Sequence, residues 1–199
     1  MIDDAALLDA WRAGDRDAGD ALIGRHFDAV CRFFRSKLGD DVEDLVQRTF
    51  LDCVESRERI RHPSFVAYLF GVARNRLFDH LRRELRRPTE ALGERSIADI
   101  RTHLSGRLAR AQHHALVVRA MQALPVDFQI ALELAYWEDL SGAEIASVLQ
   151  IPANTVRSRL SRGRALLRER VQTLAAQPAE RAQTLATLQA RLPAHDPSR

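Results

Sequence analysis

The chain is poor in aromatic residues, at 6% of its 199 positions, and holds only two cysteines and one lysine, Lys37. So few rings point to cores built from aliphatic side chains. Cys31 and Cys53 stand apart from each other and from any metal-like spacing, which argues against a disulfide framework and for reduced core residues in the cytosol. No apolar run approaches the roughly 18 residues needed to span a bilayer. The opening MIDDAALLDAW carries acids where a secretory leader carries a basic flank. A cytoplasmic protein with no membrane span is therefore expected. Also missing are a phosphate-binding glycine loop, a nucleophile elbow and a paired-carboxylate motif, so no enzyme active site, metal or cofactor is expected. His113 and His114 do not make a ligand pair, because neighbours on a helix point about 100 degrees apart.

What the chain does have is helical pattern nearly throughout: hydrophobic content of 46%, only nine glycines, and long Ala/Leu/Arg/Glu segments without alternating β-branched runs. The expected fold is all-α, with two small helical domains joined by a flexible linker. The most specific stretch is LSGAEIASVLQIPANTVRSRLSRGRALL, from Leu140 to Leu167. Ser141 and Glu144 have the spacing of a capping box, and Leu140 and Ile145 that of a hydrophobic staple. Ile145, Val148 and Leu149 form an inner face, and Ala146 is small enough for a close crossing. A turn at Gln150-Ile151 leads to Pro152, which suits the first position of a second helix.

In that second helix Val156, Leu160, Gly163 and Leu167 make a narrow buried stripe. Arg157, Ser158, Arg159, Ser161 and Arg162 point outward, with Asn154 and Thr155 at the end that a helix-turn-helix presents to base edges. From Asn154 to Arg170 there are six arginines against Glu169 alone, a local charge of plus five in a chain whose total is plus three. Arginine forks onto guanine or phosphate. A solvated basic helix is the alternative, but it needs no capping box, no small crossing residue and no proline-started partner. The pattern is that of a DNA-reading unit.

The front half reads as a helix from Asp4 to Trp11, a second from Ala18 to Leu38 ended by Gly39, and a third in DDVEDLVQRTFLDCVES. Leu22, Phe27, Val30, Phe33 and Phe34 give the second helix a largely buried pattern. The third buries Val42, Leu45, Val46, Thr49, Phe50, Cys53 and Val54, and its outer stripe of Asp44, Gln47, Arg48, Leu51 and Glu55 is polar around one leucine. After RERIRHP, a helix in SFVAYLFGVARNRLFDHLRRELRR has a core stripe of Val66, Leu69, Ala73, Leu77 and Leu81. Tyr68 and Asn75 share a face two turns apart, beside Arg74 and Arg76, and six arginines fall between Arg74 and Arg87. Rings among arginines suit single-stranded DNA, where aromatic faces stack on bases and guanidinium groups hold phosphates. Residues 1–87 thus form one domain and 88–111 a linker, partly helical from Ile97 to Leu108. A second domain covers 112–172, and 173–199 is a tail with one weak helix carrying Leu185, Leu188 and Leu192 and no assignable role.

The motifs DVEDLVQRTFLDC, FVAYLFGVARNRLFDHLRR, ALPVDFQIALELAYWEDLSGAEIASVL and TVRSRLSRGRALL, in this order and spacing, resemble the bacterial sigma-70 factors of the extracytoplasmic-function group, from about Ala5 to Val171. The resemblance implies region two in the first domain, region four in the second and no ordered region three. It implies that Asp41, Asp44, Gln47, Arg48 and Leu51 meet the beta-prime clamp helices of core RNA polymerase, and that the second domain meets the beta flap. Arg48 departs from the family pattern, which is commonly acidic there. Arg59, Arg61, His62, Tyr68, Arg74 and Asn75 match positions that handle the melted minus-ten element, and the loop from Arg57 to Ser64 the element that captures a flipped base. Asn154, Thr155, Arg157, Ser158, Arg159 and Arg162 match readers of the minus-thirty-five duplex. Promoter DNA, core polymerase and an anti-sigma protein or other regulator are the implied partners, with no cofactor. Two rivals are a free-standing regulator and a nucleic-acid-processing enzyme. The first would carry an α/β receiver or ligand domain, and the second converging metal-binding carboxylates; neither pattern is present before Arg110 or around Asp40 to Asp44.

Overall fold

In a computed structural model of the protein, the described residues are 2–60, 64–86, 112–175 and 178–191. Among them are nine α-helices and no strand, as expected. One compact unit is built on α1 (Asp4–Arg12), α2 (Arg16–Leu38), α3 (Glu43–Ser56), a 3-10 turn (Arg57–Arg59) and α4 (Phe65–Arg86). The other is built on α5 (Gln112–Gln122), α6 (Val126–Tyr136), α7 (Gly142–Leu149), α8 (Ala153–Leu174) and α9 (Pro178–Arg191). The expected linker and its helix at Ile97 to Leu108 lie outside the described residues, as do Arg61, His62 and Leu192.

In the first unit, aspartates start both leading helices. Asp3 accepts from the Ala6 amide at 2.7 Å and Asp15 from the Ala18 amide at 3.1 Å, each meeting a donor that the first turn leaves free. Gly39, with φ of 96°, ends α2 in a conformation costly for other residues. Leu7, Leu8 and Trp11 are buried, and Trp11 lies so close to Gly19 that a Cβ there would sit 2.5 Å from the indole Nε1. Helix α3 begins at Glu43, so Asp41 stands before it. Val42 occupies the cap position, and its amide donates to Asp40. The inner face of α3 is as expected except that Val54 is half-buried.

Three expectations need correction. The amino-terminal core is not aliphatic: Phe34 and Phe70 are among the largest fully buried side chains, and Phe33 packs edge-on to both at 5.4 and 5.6 Å. Seven of the eight phenylalanines precede residue 79, so a low total hides a local concentration. The buried face of α4 is also broader than the stripe, taking in Phe65, Ala67 and Phe70, while Val66 and Leu81 are only half-buried. The cause is that α1, α2 and α3 all pack on α4, which a single stripe does not anticipate. Phe27, expected inside, is 46% exposed and stacks on Phe50 at the rim, with ring centroids 5.9 Å apart.

The second unit does have an aliphatic core, with Leu116, Leu124, Ile130, Leu132, Leu134 and Ile145 fully buried. Helix α8 packs on α6 and α5. A Cβ on Gly163 would lie 3.3 Å from Leu132 Cδ1 and 3.5 Å from Phe128 Cδ1, so the glycine lets α8 approach α6 closely. The expected weak tail helix is α9, which docks on α5 and α8 and buries Thr184 and Leu188.

Candidate nucleic-acid and partner interfaces

The local signals at the helix-turn-helix produce the geometry they encode. The Ser141 amide donates to Glu144 Oε2 at 2.8 Å, and the Glu144 amide donates to Ser141 Oγ at 3.3 Å, closing the capping box. Leu140 and Ile145 are both buried. At the far end of α7, Gln150 takes a φ of 55° and the Ile151 amide donates to the Ala146 carbonyl at 3.1 Å. This is a Schellman closure in which glutamine fills the left-handed position usual for glycine. Pro152 sits one position earlier than expected, as the cap rather than the first helical residue. Its ψ of 147° is extended, and only its carbonyl joins the helix, accepting from Thr155 and Val156.

Val156, Leu160, Gly163, Leu167 and Val171 are buried along α8, which turns the opposite side outward. Asn154, Arg157, Ser158, Ser161, Arg162, Arg168 and Arg170 are exposed there, and Thr155 is half-buried. Asn154 Oδ1 accepts from the Thr155 amide at 2.9 Å, which orients the first turn. Two arginines are otherwise engaged. Arg159 is half-buried and reaches Asp127 of α6 at 3.5 Å, so it does not share the free outward placement of Arg157. Arg164 donates to the Tyr136 hydroxyl at 2.6 Å.

On α3 the stripe Asp44, Gln47, Arg48, Leu51 and Glu55 is exposed throughout, with Asp41 exposed ahead of it. Leu51 is 52% exposed amid polar neighbours. Arg48 Nε donates to Asp44 Oδ1 at 2.8 Å, so Arg48 neutralises an acid of its own stripe. On α4, Tyr68 and Arg74 are half-buried and Asn75 is exposed. The Arg74 guanidinium lies 4.9 Å from the centre of the Phe78 ring. Arg59 is exposed in the 3-10 turn. Arg76, which sequence reasoning grouped with the DNA-facing arginines, instead grips Asp52 of α3 through Nε at 2.6 Å and Nη2 at 2.5 Å. The Asp52 hydrogen bonds push its pKa further up, against the opposing effect of burial.

One further link carries no local signal. Arg12 of α1 donates from Nε to the Arg57 carbonyl at 3.2 Å and from Nη2 to the Ile60 carbonyl. Lys37, the lone lysine, is buried with Nζ donating to the Phe33 carbonyl at 2.8 Å. Both cysteines are free and buried, and burial pushes the Cys53 thiol up to about 12 and raises that of Cys31. Among the described residues there is no His, Cys, Asp and Glu cluster able to hold a metal ion, and no helix long and apolar enough to cross a membrane.

The chain is similar to proteins of stated role. The family described as Sigma-70 region 2 matches residues 22–87, and that described as Sigma-70, region 4 matches residues 114–167. The ECF RNA polymerase sigma-E factor of Haemophilus influenzae is 29% identical over 185 residues, which is 87% of this chain and 98% of that protein. The ECF RNA polymerase sigma factor SigM of Mycobacterium tuberculosis is 33% identical over 168 residues, 82% of each chain. In fold the chain is similar to CnrH, solved in complex with the cytosolic domain of CnrY, with a TM-score of 0.62 at 22% identity over 86% of this chain and 99% of that one.

Proposed function

Because the chain belongs to the sigma-70 family, in its extracytoplasmic-function group, we propose that its three exposed faces divide the work of promoter recognition between them. The chain is a transcription initiation factor that binds core RNA polymerase and directs it to promoters, a regulator of transcription rather than an enzyme. In this reading the polymerase supplies all the catalysis, in the cytoplasm, without a cofactor from this chain.

Asp41, Asp44, Gln47, Arg48 and Leu51 meet the beta-prime clamp helices, with Leu51 as the apolar anchor. The Arg48–Asp44 pair lowers the negative charge offered to that partner. Arg59, Arg61, His62, Tyr68, Arg74 and Asn75 hold the melted minus-ten strand, where stacking and phosphate contacts return the few kcal/mol spent on pulling a base from the duplex. Asn154, Thr155, Arg157, Ser158 and Arg162 read the minus-thirty-five duplex. Arg159 joins them on exchanging Asp127 for DNA. The second domain also meets the beta flap, 88–111 serves as the linker, and a regulator such as an anti-sigma protein covers the α3 face.

The observation that carries this reading is the presence of both regions in one chain, with an exposed polar stripe around Leu51 in the first and a capped helix-turn-helix in the second. A free-standing regulator needs only the second. The test is transcription in vitro from genomic DNA fragments by purified core polymerase, with and without this protein. Promoter-specific transcripts that depend on the protein are expected. Failure to associate with core, together with unaided recognition of a duplex operator, would overturn the reading.

A further inference from the structure

We propose that Arg12, on a helix preceding the segment that matches region 2, is a positioning residue for promoter opening, because its guanidinium braces the turn from which the α3–α4 connection departs. The inference rests on the assignment of that connection to the minus-ten element.

Helix α1 is anchored by Leu7, Leu8 and Trp11, all buried, so its last turn is a fixed point from which Arg12 reaches out. All three guanidinium nitrogens have targets: Nε the Arg57 carbonyl at 3.2 Å, Nη2 the Ile60 carbonyl, and Nη1 the Asp9 carboxylate at 3.0 Å. The side chain is only 25% exposed. A planar fork with fixed donor directions suits two carbonyls held at a set separation, whereas an ammonium does not. The need for it arises at the end of α3, where carbonyls run out of helical donors. The Ile60 amide gives Arg57 only a 3.4 Å bond, which leaves the turn weakly closed by its own backbone.

The turn is also pinned by the Ile60 side chain, which is 1% exposed. The chain therefore leaves Ile60 from a point fixed by a buried side chain and a charged fork, with Arg59 exposed beside it. Strand capture depends on such preordering, because a turn that must be ordered at the moment of binding gives up part of the binding free energy. Arg12 acts through the turn and need not touch DNA.

The experiment uses holoenzyme assembled from core polymerase and the full chain, on promoter fragments that wild-type holoenzyme selects from genomic DNA. Opening is followed by permanganate reactivity of unpaired thymines per bound complex, and core association by gel shift. Arg12→Ala should slow opening by about tenfold or more, as loss of a charge-assisted hydrogen bond implies, with core association unchanged. Arg12→Lys should recover only part of this. Phe34→Leu loosens the same unit in the Phe33–Phe34 cluster of α2, at no residue of α1 or of the turn, and should open promoters at the wild-type rate. Wild-type opening by both Arg12 variants, while Arg59→Ala or Tyr68→Ala slows it, would overturn the role of Arg12 and leave the minus-ten assignment standing. Wild-type opening by Arg59→Ala and Tyr68→Ala as well would overturn that assignment, and this proposal with it. Equal slowing by Phe34→Leu would reduce Arg12 to a stabilising contact and overturn the proposal.

Discussion

Removing Asp52 and Arg76, singly and together, measures how firmly α3 is clamped to α4. Asp52 takes two bonds from Arg76, and the side chains are 27% and 30% exposed. On the same helix, Asp44 and Arg48 share a single 2.8 Å bond at 69% and 49% exposure. Helical surface pairs of the second kind couple by roughly 0.3–0.5 kcal/mol. The Asp52–Arg76 pair lies between the exposed limit near 1 kcal/mol and the roughly 1.5–3 kcal/mol of hydrogen bonds to charged groups, so about 1–2 kcal/mol is expected. It does not reach the larger loss of a fully buried pair, because water can still hydrate the carboxylate when its partner is gone.

The chain's two tryptophans make the measurement specific. With Trp137→Phe as background, fluorescence of the buried Trp11 reports the amino-terminal unit alone. Urea denaturation of Asp52→Ala, Arg76→Ala and the double variant closes the cycle, and the same cycle on Asp44 and Arg48 supplies the exposed comparison. A coupling at Asp52–Arg76 no larger than at Asp44–Arg48 would refute the ranking of these pairs by burial and bond number. Arg76→Ala that costs DNA binding but no stability would return this residue to the DNA face.

Gly19→Ala should destabilise the amino-terminal unit by about 1–3 kcal/mol through overpacking on Trp11, outweighing the usual helical benefit of alanine; a gain in the Trp11 urea midpoint would contradict this. Leu51→Asp should weaken core association in a pull-down while leaving helicity and melting unchanged, and wild-type capture of core would remove Leu51 from the docking face. Arg157→Ala should cost about 1–3 kcal/mol of promoter affinity if it reads a base, whereas an equal loss on every promoter sequence would make it a phosphate contact. For Cys53 the folded thiol titrates near 12 against 9.0 when unfolded, so between these values the unfolded chain binds fewer protons and stability falls as pH rises. Urea midpoints across that range should decline less steeply in Cys53→Ala, and parallel slopes would refute the burial of the thiol.

The helix-turn-helix was legible because its instructions are local. A capping box joins residues three apart and a staple residues five apart; the two capping hydrogen bonds are formed, and both staple residues are buried. The outer face of α3 was legible for the same reason, since a helix that buries Leu45, Val46, Thr49, Phe50 and Cys53 must turn Asp44, Gln47, Arg48 and Leu51 away. Reading weakened where the determinant was not periodic. Gln150 in a left-handed conformation gives no glycine to mark the end of α7, and the breadth of the α4 core depends on how many helices surround it.

The arginines show why a pattern can assign a face without assigning a partner. A guanidinium on a long flexible stem can meet acceptors well away from its own helix, so neighbours brought in by tertiary packing decide its target. Arg12 finds Ile60 across 48 positions, Arg159 finds Asp127 across 32 and Arg76 finds Asp52 across 24, separations at which helical spacing carries no information. Local charge therefore overstates what α8 offers to DNA in the free protein, since Arg159 and Arg164 are already engaged while Arg157, Arg162, Arg168 and Arg170 are exposed. The engaged arginines act first on the fold: they hold α8 to α6, α3 to α4 and α1 to the turn after α3. The exposed ones are placed by that same scaffold, so a basic helix becomes a reading surface only once part of its charge has been spent on fixing where the remainder points.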